Sequence, residues 1–162
     1  EAGDWAVFSP TPLTPARLTV TGGDAKPSAP VSLAPAVEVT MQEFAFVGLD
    51  GVLAAGPQLW KVTNAGHQPH LMTFGPVPAG ATQAQFTESL TALMGGTPPP
   101  EASGPPGPPI TGGCSTLSTG ASLYLALDLA PVSYGAVCFF PDPDSGAPHA
   151  MLGMTQIVEV AA

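Results

Sequence analysis

The sequence predicts an all-β protein, a sandwich or small barrel of about seven short strands with one short helix. Three observations carry this. Gly and Pro number 19 and 21 of 162 residues, a density that breaks long helices and marks many turns. Hydrophobic residues are nevertheless 44% of the chain and mean hydropathy is +0.28, enough to build a packed core. Apolar residues alternate with polar ones in several short runs, while helical spacing occurs in one place. A chain of 162 residues fits one domain.

Residues 1–36 are punctuated by Pro10, Pro12, Pro15, Pro27, Pro30 and Pro35. They read as an extended Pro-rich arm with one short strand over 17–21. The ordered domain is expected over residues 37–162. Alternation predicts a strand over 37–47, followed by the turn signal Asp50-Gly51. Further strands are expected over 59–64 and 70–74. Residues 82–94 are the helix: Phe86, Leu90, Leu93 and Met94 fall on one face, and Gly95-Gly96 stops it. Residues 97–113 form a Pro/Gly segment whose one sizeable apolar residue is Ile110, read as a surface loop. Strands are then expected over 122–129, 133–140 and 153–160, with a tight polar loop over 142–148.

Charge narrows the function. Three Lys and Arg stand against 12 Asp and Glu, a net charge of -9. A nucleic-acid binder needs a basic face for phosphates, so no nucleic-acid partner is expected. The same balance speaks against adhesion to anionic lipid. No apolar run reaches the ~18 residues that span a bilayer, so no transmembrane segment is expected. The start of the chain shows no export signal, and such a signal is expected to have been removed. Charged residues are only 9%, which suits docking onto a larger assembly.

The residues with chemistry are few and clustered. All three histidines lie in two short loops at strand ends: His67 and His70 in His-Gln-Pro-His, and His149 in Pro-His-Ala-Met. Cys138 closes the strand that leads into the second loop, and Met154 opens the strand after it. Two imidazoles, a thiolate and a thioether form a soft, nitrogen-rich set that suits copper cycling between Cu(I) and Cu(II). The two cysteines, Cys114 and Cys138, are open to bridging, to acting separately or to supplying a metal thiolate. Asp142 and Asp144 flank Pro143 and read as turn formers. Met72 and Met151 are expected to pack, as are Trp60 and Tyr134.

At these residues the chain resembles the cupredoxins, the plastocyanin/azurin-like blue copper proteins. The resemblance runs from Val37 to Val160. It is carried by the segment Val-Thr-Asn-Ala-Gly-His-Gln-Pro-His ending at His70, by Tyr-Gly-Ala-Val-Cys ending at Cys138, and by the His-x4-Met pair His149 and Met154. It implies a Greek-key β-sandwich with one copper held by His70, Cys138, His149 and Met154. It also implies an extracytoplasmic redox protein, an electron carrier or copper carrier, whose partner is a redox protein or a cell-envelope complex. One departure stands out: ten residues separate Cys138 from His149, where the family's loop has only a few. The insertion over 142–147 is turn-rich and is expected to bulge outward and return His149.

Cupredoxin topology also brings Cys114 and Cys138 to the same end of the sandwich, so a Cys114–Cys138 disulfide is a further expectation to weigh. Such a bridge would remove the thiolate. His67, His70 and His149 would then remain as an alternative three-histidine copper site, resembling copper-only superoxide dismutases in chemistry. A metal-free cupredoxin-like module docked in an envelope complex is the third reading.

Overall fold

In the computed structural model, residues 3–8, 15–21, 33–94 and 111–162 are described. The chain divides into two units, Glu1–Leu33 and Ala34–Ala162.

In the first unit β1 (Gly3–Phe8) pairs antiparallel with β2 (Pro15–Val20), Trp5 opposite Leu18. The strand expected over 17–21 is therefore half of a hairpin rather than part of an extended arm. The run Trp-Ala-Val-Phe of β1 is rich in strand formers, and Pro10 and Pro12 fall between the two strands.

The second unit contains β3 (Val37–Gln42), β4 (Ala45–Val47), β5 (Val52–Ala54), β6 (Gly56–Asn64) and β7 (His70–Pro76). Helix α1 (Gln83–Met94) follows, then β8 (Gly112–Leu117), β9 (Ser122–Leu129), β10 (Ser133–Val137) and β11 (Thr155–Ala161). One sheet runs β5-β11-β10-β7-β8 and the other β4-β3-β6-β9. Most pairs are antiparallel, while β3 with β6 and β5 with β11 run parallel. The core lies between the sheets. Trp60 of β6 meets the edge of Phe74 of β7 at 5.1 Å, and Phe74 stacks on Tyr134 of β10 at 4.8 Å. Val39, Met41 and Val62 pack from one side, Met72, Ala136 and Val158 from the other.

The run expected as one strand over 37–47 folds back on itself. Glu43 and Phe44 make the turn between β3 and β4, with Gln42 opposite Ala45. Phe44 sits at φ 60, an uncommon conformation for a bulky side chain. Its ring packs edge-on against His149 at 5.2 Å, so packing holds the strained turn.

Helix α1 begins with a reciprocal cap, Gln85 N–H to Thr82 Oγ1 at 3.3 Å and Thr82 N–H to Gln85 Oε1 at 3.0 Å. Phe86 and Leu90 are buried against Val137 and Ala150. Leu93, expected on the same face, is 38% exposed. The expected surface loop over 97–113 lies outside the described residues as far as 110. Its last two residues, with the four after them, form β8. The register explains why glycine stands there: a Cβ on Gly113 would lie 2.3 Å from the carbonyl oxygen of Met72.

Gly135, on β10, faces the helix in the same way. A Cβ there would lie 2.3 Å from Phe86 Cζ. Gly135→Ala should therefore push α1 off the sheet and cost about 1–3 kcal/mol. Denaturant unfolding checks this: the midpoint should fall at unchanged slope, and an unchanged midpoint would contradict the packing.

Candidate metal centre

The sheet register gathers the donors at one end of the sandwich. Strands β7 and β10 are antiparallel, with Val137 opposite Thr73. The start of β7, His70, thus lies beside the residue that follows β10, Cys138. Strand β11 begins opposite the same point, Thr155 against Val137.

His149 must then return across a long loop, and the backbone shows how it does. Phe140 C=O accepts from His149 N–H at 2.8 Å, Asp142 N–H donates to Ala147 C=O at 2.8 Å, and Pro141 bridges Pro148. Asp142 Oδ2 holds the tip, accepting from Ser145 N–H at 2.8 Å and Ser145 Oγ at 2.6 Å. The extra residues close on themselves as a small hairpin, as the turn-rich insertion led one to expect. Ala150 N–H donates to Cys138 C=O at 2.8 Å, Cys138 N–H to Met154 C=O at 3.1 Å, and Met154 N–H to His149 C=O at 2.9 Å. A single 3-10 turn over His149–Leu152, closed by Gly153 at φ 109, sets His149 and Met154 on this ladder.

His70, Cys138, His149 and Met154 all have zero relative exposure. The Nδ1 atoms of His70 and His149 lie 3.0 Å apart, and Cys138 Sγ is 3.5 Å from His149 Nδ1. Each of the three residues offers a donor atom within 4.8 Å of the others. Sγ also accepts from Leu71 N–H at 3.5 Å. Phe140 and Phe44 flank the His149 ring, at 5.8 and 5.2 Å. Two imidazole nitrogens and a sulfur facing one another at a fully buried point fit a thiophilic transition metal.

The loop before β7 is shaped by buried Asn64. Its Nδ2 donates to the carbonyls of Gln68 and Leu117, both at 2.8 Å, and its Oδ1 accepts from Gly66 N–H at 2.9 Å. Glu43, from the β3–β4 turn, accepts from the N–H groups of His67 and Gln68. Its Oε1 lies 3.6 Å from His70 Nε2, a buried atom with no hydrogen-bond partner among the described residues. Glycine at 66 lets both side chains approach, since a Cβ there would lie 2.6 Å from Glu43 Oε1 and 2.7 Å from the buried His70 Nε2. Around the other ring, His149 Nε2 is 2.9 Å from Gln68 Oε1, and Gln68 Nε2 donates to Asp142 Oδ1 at 3.0 Å.

Three expectations need correction. His67 is exposed and lies outside the donor cluster, so the set His67, His70, His149 is not assembled. Its neighbours Gly66 and Gln68 are held by Asn64, and its own N–H donates to Glu43. Cys114 and Cys138 are both free, buried thiols, so the bridge is not formed. Cys114 pairs with Met72 across β7 and β8. Met151, expected to pack, is 41% exposed. Sequence reasoning missed Glu43 and Gln68 altogether and saw Asp142 only as a turn residue.

No protein-family model matches the chain, and no curated protein matches it in sequence. Solved structures do. Dithionite-reduced auracyanin from the photosynthetic bacterium Roseiflexus castenholzii is 17% identical with a TM-score of 0.50, over 77% of this chain and 95% of that one. The chain has the cupredoxin fold. Auracyanin B is 20% identical over 82% of this chain and 94% of its own, with a TM-score of 0.47. Auracyanin A, a "blue" copper protein from the green thermophilic photosynthetic bacterium Chloroflexus aurantiacus, is 15% identical over 76% and 98%, with a TM-score of 0.44.

Burial dominates the electrostatics of this cluster. Burial holds both imidazoles below their ordinary pKa; for His70 the neighbouring His149 adds to the effect, while Glu43 opposes it at both rings. Both rings are therefore neutral donors at neutral pH. Burial pushes the Cys138 thiol up, against the N–H groups of Leu71 and Phe140, so a bound metal must displace its proton. Burial also raises Glu43, but the N–H groups of Gln68 and His67 outweigh it and leave its carboxyl below the usual value. Ser145 and Gln68 lower Asp142. The sign of the pH dependence follows. Unfolded imidazoles take up protons near pH ~6.5, while the folded ones resist until lower pH. The unfolded state then binds more protons, so acid costs stability. The lowered carboxylates add a further loss at lower pH. The urea midpoint of the metal-free protein should fall from pH ~7 to pH ~5, and a flat or rising midpoint would contradict this.

Proposed function

We propose that the protein is a copper redox protein, an electron carrier working outside the cytoplasm, with one copper held by His70, Cys138, His149 and Met154. The observation that carries the reading is the convergence of two neutral Nδ1 atoms and one Sγ at a single buried point. Copper bound there would supply a one-electron Cu(I)/Cu(II) couple, and a mixed imidazole–thiolate set accommodates both states. The chain's part is to keep the donors still. His70 and Cys138 belong to adjacent strands, and His149 and Met154 are tied to Cys138 by backbone hydrogen bonds. Phe44 and Phe140 pack on His149 and exclude water. Met154, fully buried and hydrogen-bonded through its backbone to Cys138 and His149, would supply the fourth ligand.

The extracytoplasmic location rests on the resemblance to cupredoxins, and the partner is a redox protein or a cell-envelope complex. The three-histidine dismutase reading loses its third ligand with His67 exposed. A metal-free docking module leaves unexplained why the histidines of two separate loops converge on a thiol.

The test is the visible spectrum of the Cu(II)-loaded protein, with free thiols counted on the same sample. An intense thiolate-to-copper band is expected. Cys138→Ser should abolish it, and His67→Ala should leave it unchanged. A pale wild-type sample holding one copper would refute thiolate ligation, and no retained copper would refute the metal reading.

A further inference from the structure

Gln68 is not a ligand, yet every polar group it carries is engaged. Its N–H donates to Glu43 Oε1 at 3.0 Å and its carbonyl accepts from Asn64 Nδ2 at 2.8 Å. Its Nε2 donates to Asp142 Oδ1 at 3.0 Å, and its Oε1 faces His149 Nε2 at 2.9 Å. An ionised carboxylate only accepts, so the amide nitrogen must face Asp142 and the amide oxygen must face His149. An amide oxygen also only accepts, so the proton of His149 sits on Nε2. We propose that Gln68, oriented by Asp142, is a positioning residue that fixes this tautomer and leaves His149 Nδ1 bare as a ready metal donor. Its purpose rests on the copper reading; its geometry does not.

The same argument reaches the second ring. With His149 Nδ1 bare, the 3.0 Å contact between the two Nδ1 atoms is a hydrogen bond donated by His70. His70 Nε2 is then bare as well, which accounts for a buried nitrogen without a partner, 3.6 Å from Glu43 Oε1. A cation held by both Nδ1 atoms would require the His70 proton to move from Nδ1 to Nε2, with no net change in protons. The N–H so formed would face the Glu43 carboxylate, 3.6 Å away, the arrangement that makes an imidazole a stronger ligand. His149 is thus preset as a donor, while His70 would have to change tautomer to become one. The insertion between Cys138 and His149 gains a use, because it carries Asp142.

Nitrogen–proton correlation spectra of the imidazole rings read the tautomers directly. In the metal-free protein His149 should be protonated at Nε2 and His70 at Nδ1. Anaerobic addition of Cu(I) should move the His70 proton to Nε2 and leave His149 unchanged. Gln68→Ala should let His149 populate both tautomers and weaken Cu(I) binding about ten- to a hundredfold. The double variant Gln68→Glu with Asp142→Asn reverses the pair's polarity but keeps an acceptor oxygen toward His149. It should restore the single tautomer and the affinity. Nδ1-protonated His149 in the wild type overturns the proposal, as does a Gln68→Ala protein matching the wild type in tautomer and affinity. The expected tautomers in a protein that binds no copper would uphold the role of Gln68 while removing the copper reading.

Discussion

The backbone of Cys138 is the fixed point of this molecule. Its N–H donates to Met154 and its carbonyl accepts from Ala150. The first bond extends the β10–β11 pairing past the end of the regular strands, and the second ties the 3-10 turn that begins at His149 to the same residue. They decide where the chain re-enters after ten intervening residues. His149 is placed by them, and so is Met154. Loop length matters little here, because the extra residues hydrogen-bond to themselves between Phe140 and His149 and exert no pull on the closing ends.

Burying three donors beside one another is costly unless their other atoms are satisfied. The polar ring around the site meets that demand at His149, and it sets the Glu43 carboxylate 3.6 Å from the remaining nitrogen, His70 Nε2. Asn64 organises the loop before His70, Glu43 receives the loop's N–H groups, and Gln68 joins the loop to Asp142. The ring links three elements distant in sequence: the β3–β4 turn, the loop into β7 and the insertion before His149. The left-handed Phe44 belongs to the same design. Its turn presents Glu43 to one histidine and the Phe44 ring to the other.

The residues of the buried His70–Cys138–His149 cluster were legible because the sequence offers so few choices. With three histidines and two cysteines in 162 residues, two short loops hold nearly all the metal-binding chemistry. The alternating run over 122–129 matches β9, and the helical spacing over 82–94 matches α1 within one residue. Other features had no local signal. Strand β8 starts with two glycines, and Gly113 is there to let Met72 approach. The split of 37–47 depends on a phenylalanine at positive φ, which no turn composition announces. The N-terminal hairpin was masked by its prolines. Glu43 meets His67 across 24 residues and Gln68 meets Asp142 across 74, and only the folded sheets bring such pairs together.

Copper-edge X-ray absorption on the copper-loaded wild-type protein tests the central claim most directly. One sulfur scatterer at short range together with two imidazoles is the predicted first shell, with the sulfur lost in Cys138→Ser. A shell of nitrogen and oxygen alone would contradict the assignment of Cys138, and with it the account of how this end of the sandwich is built.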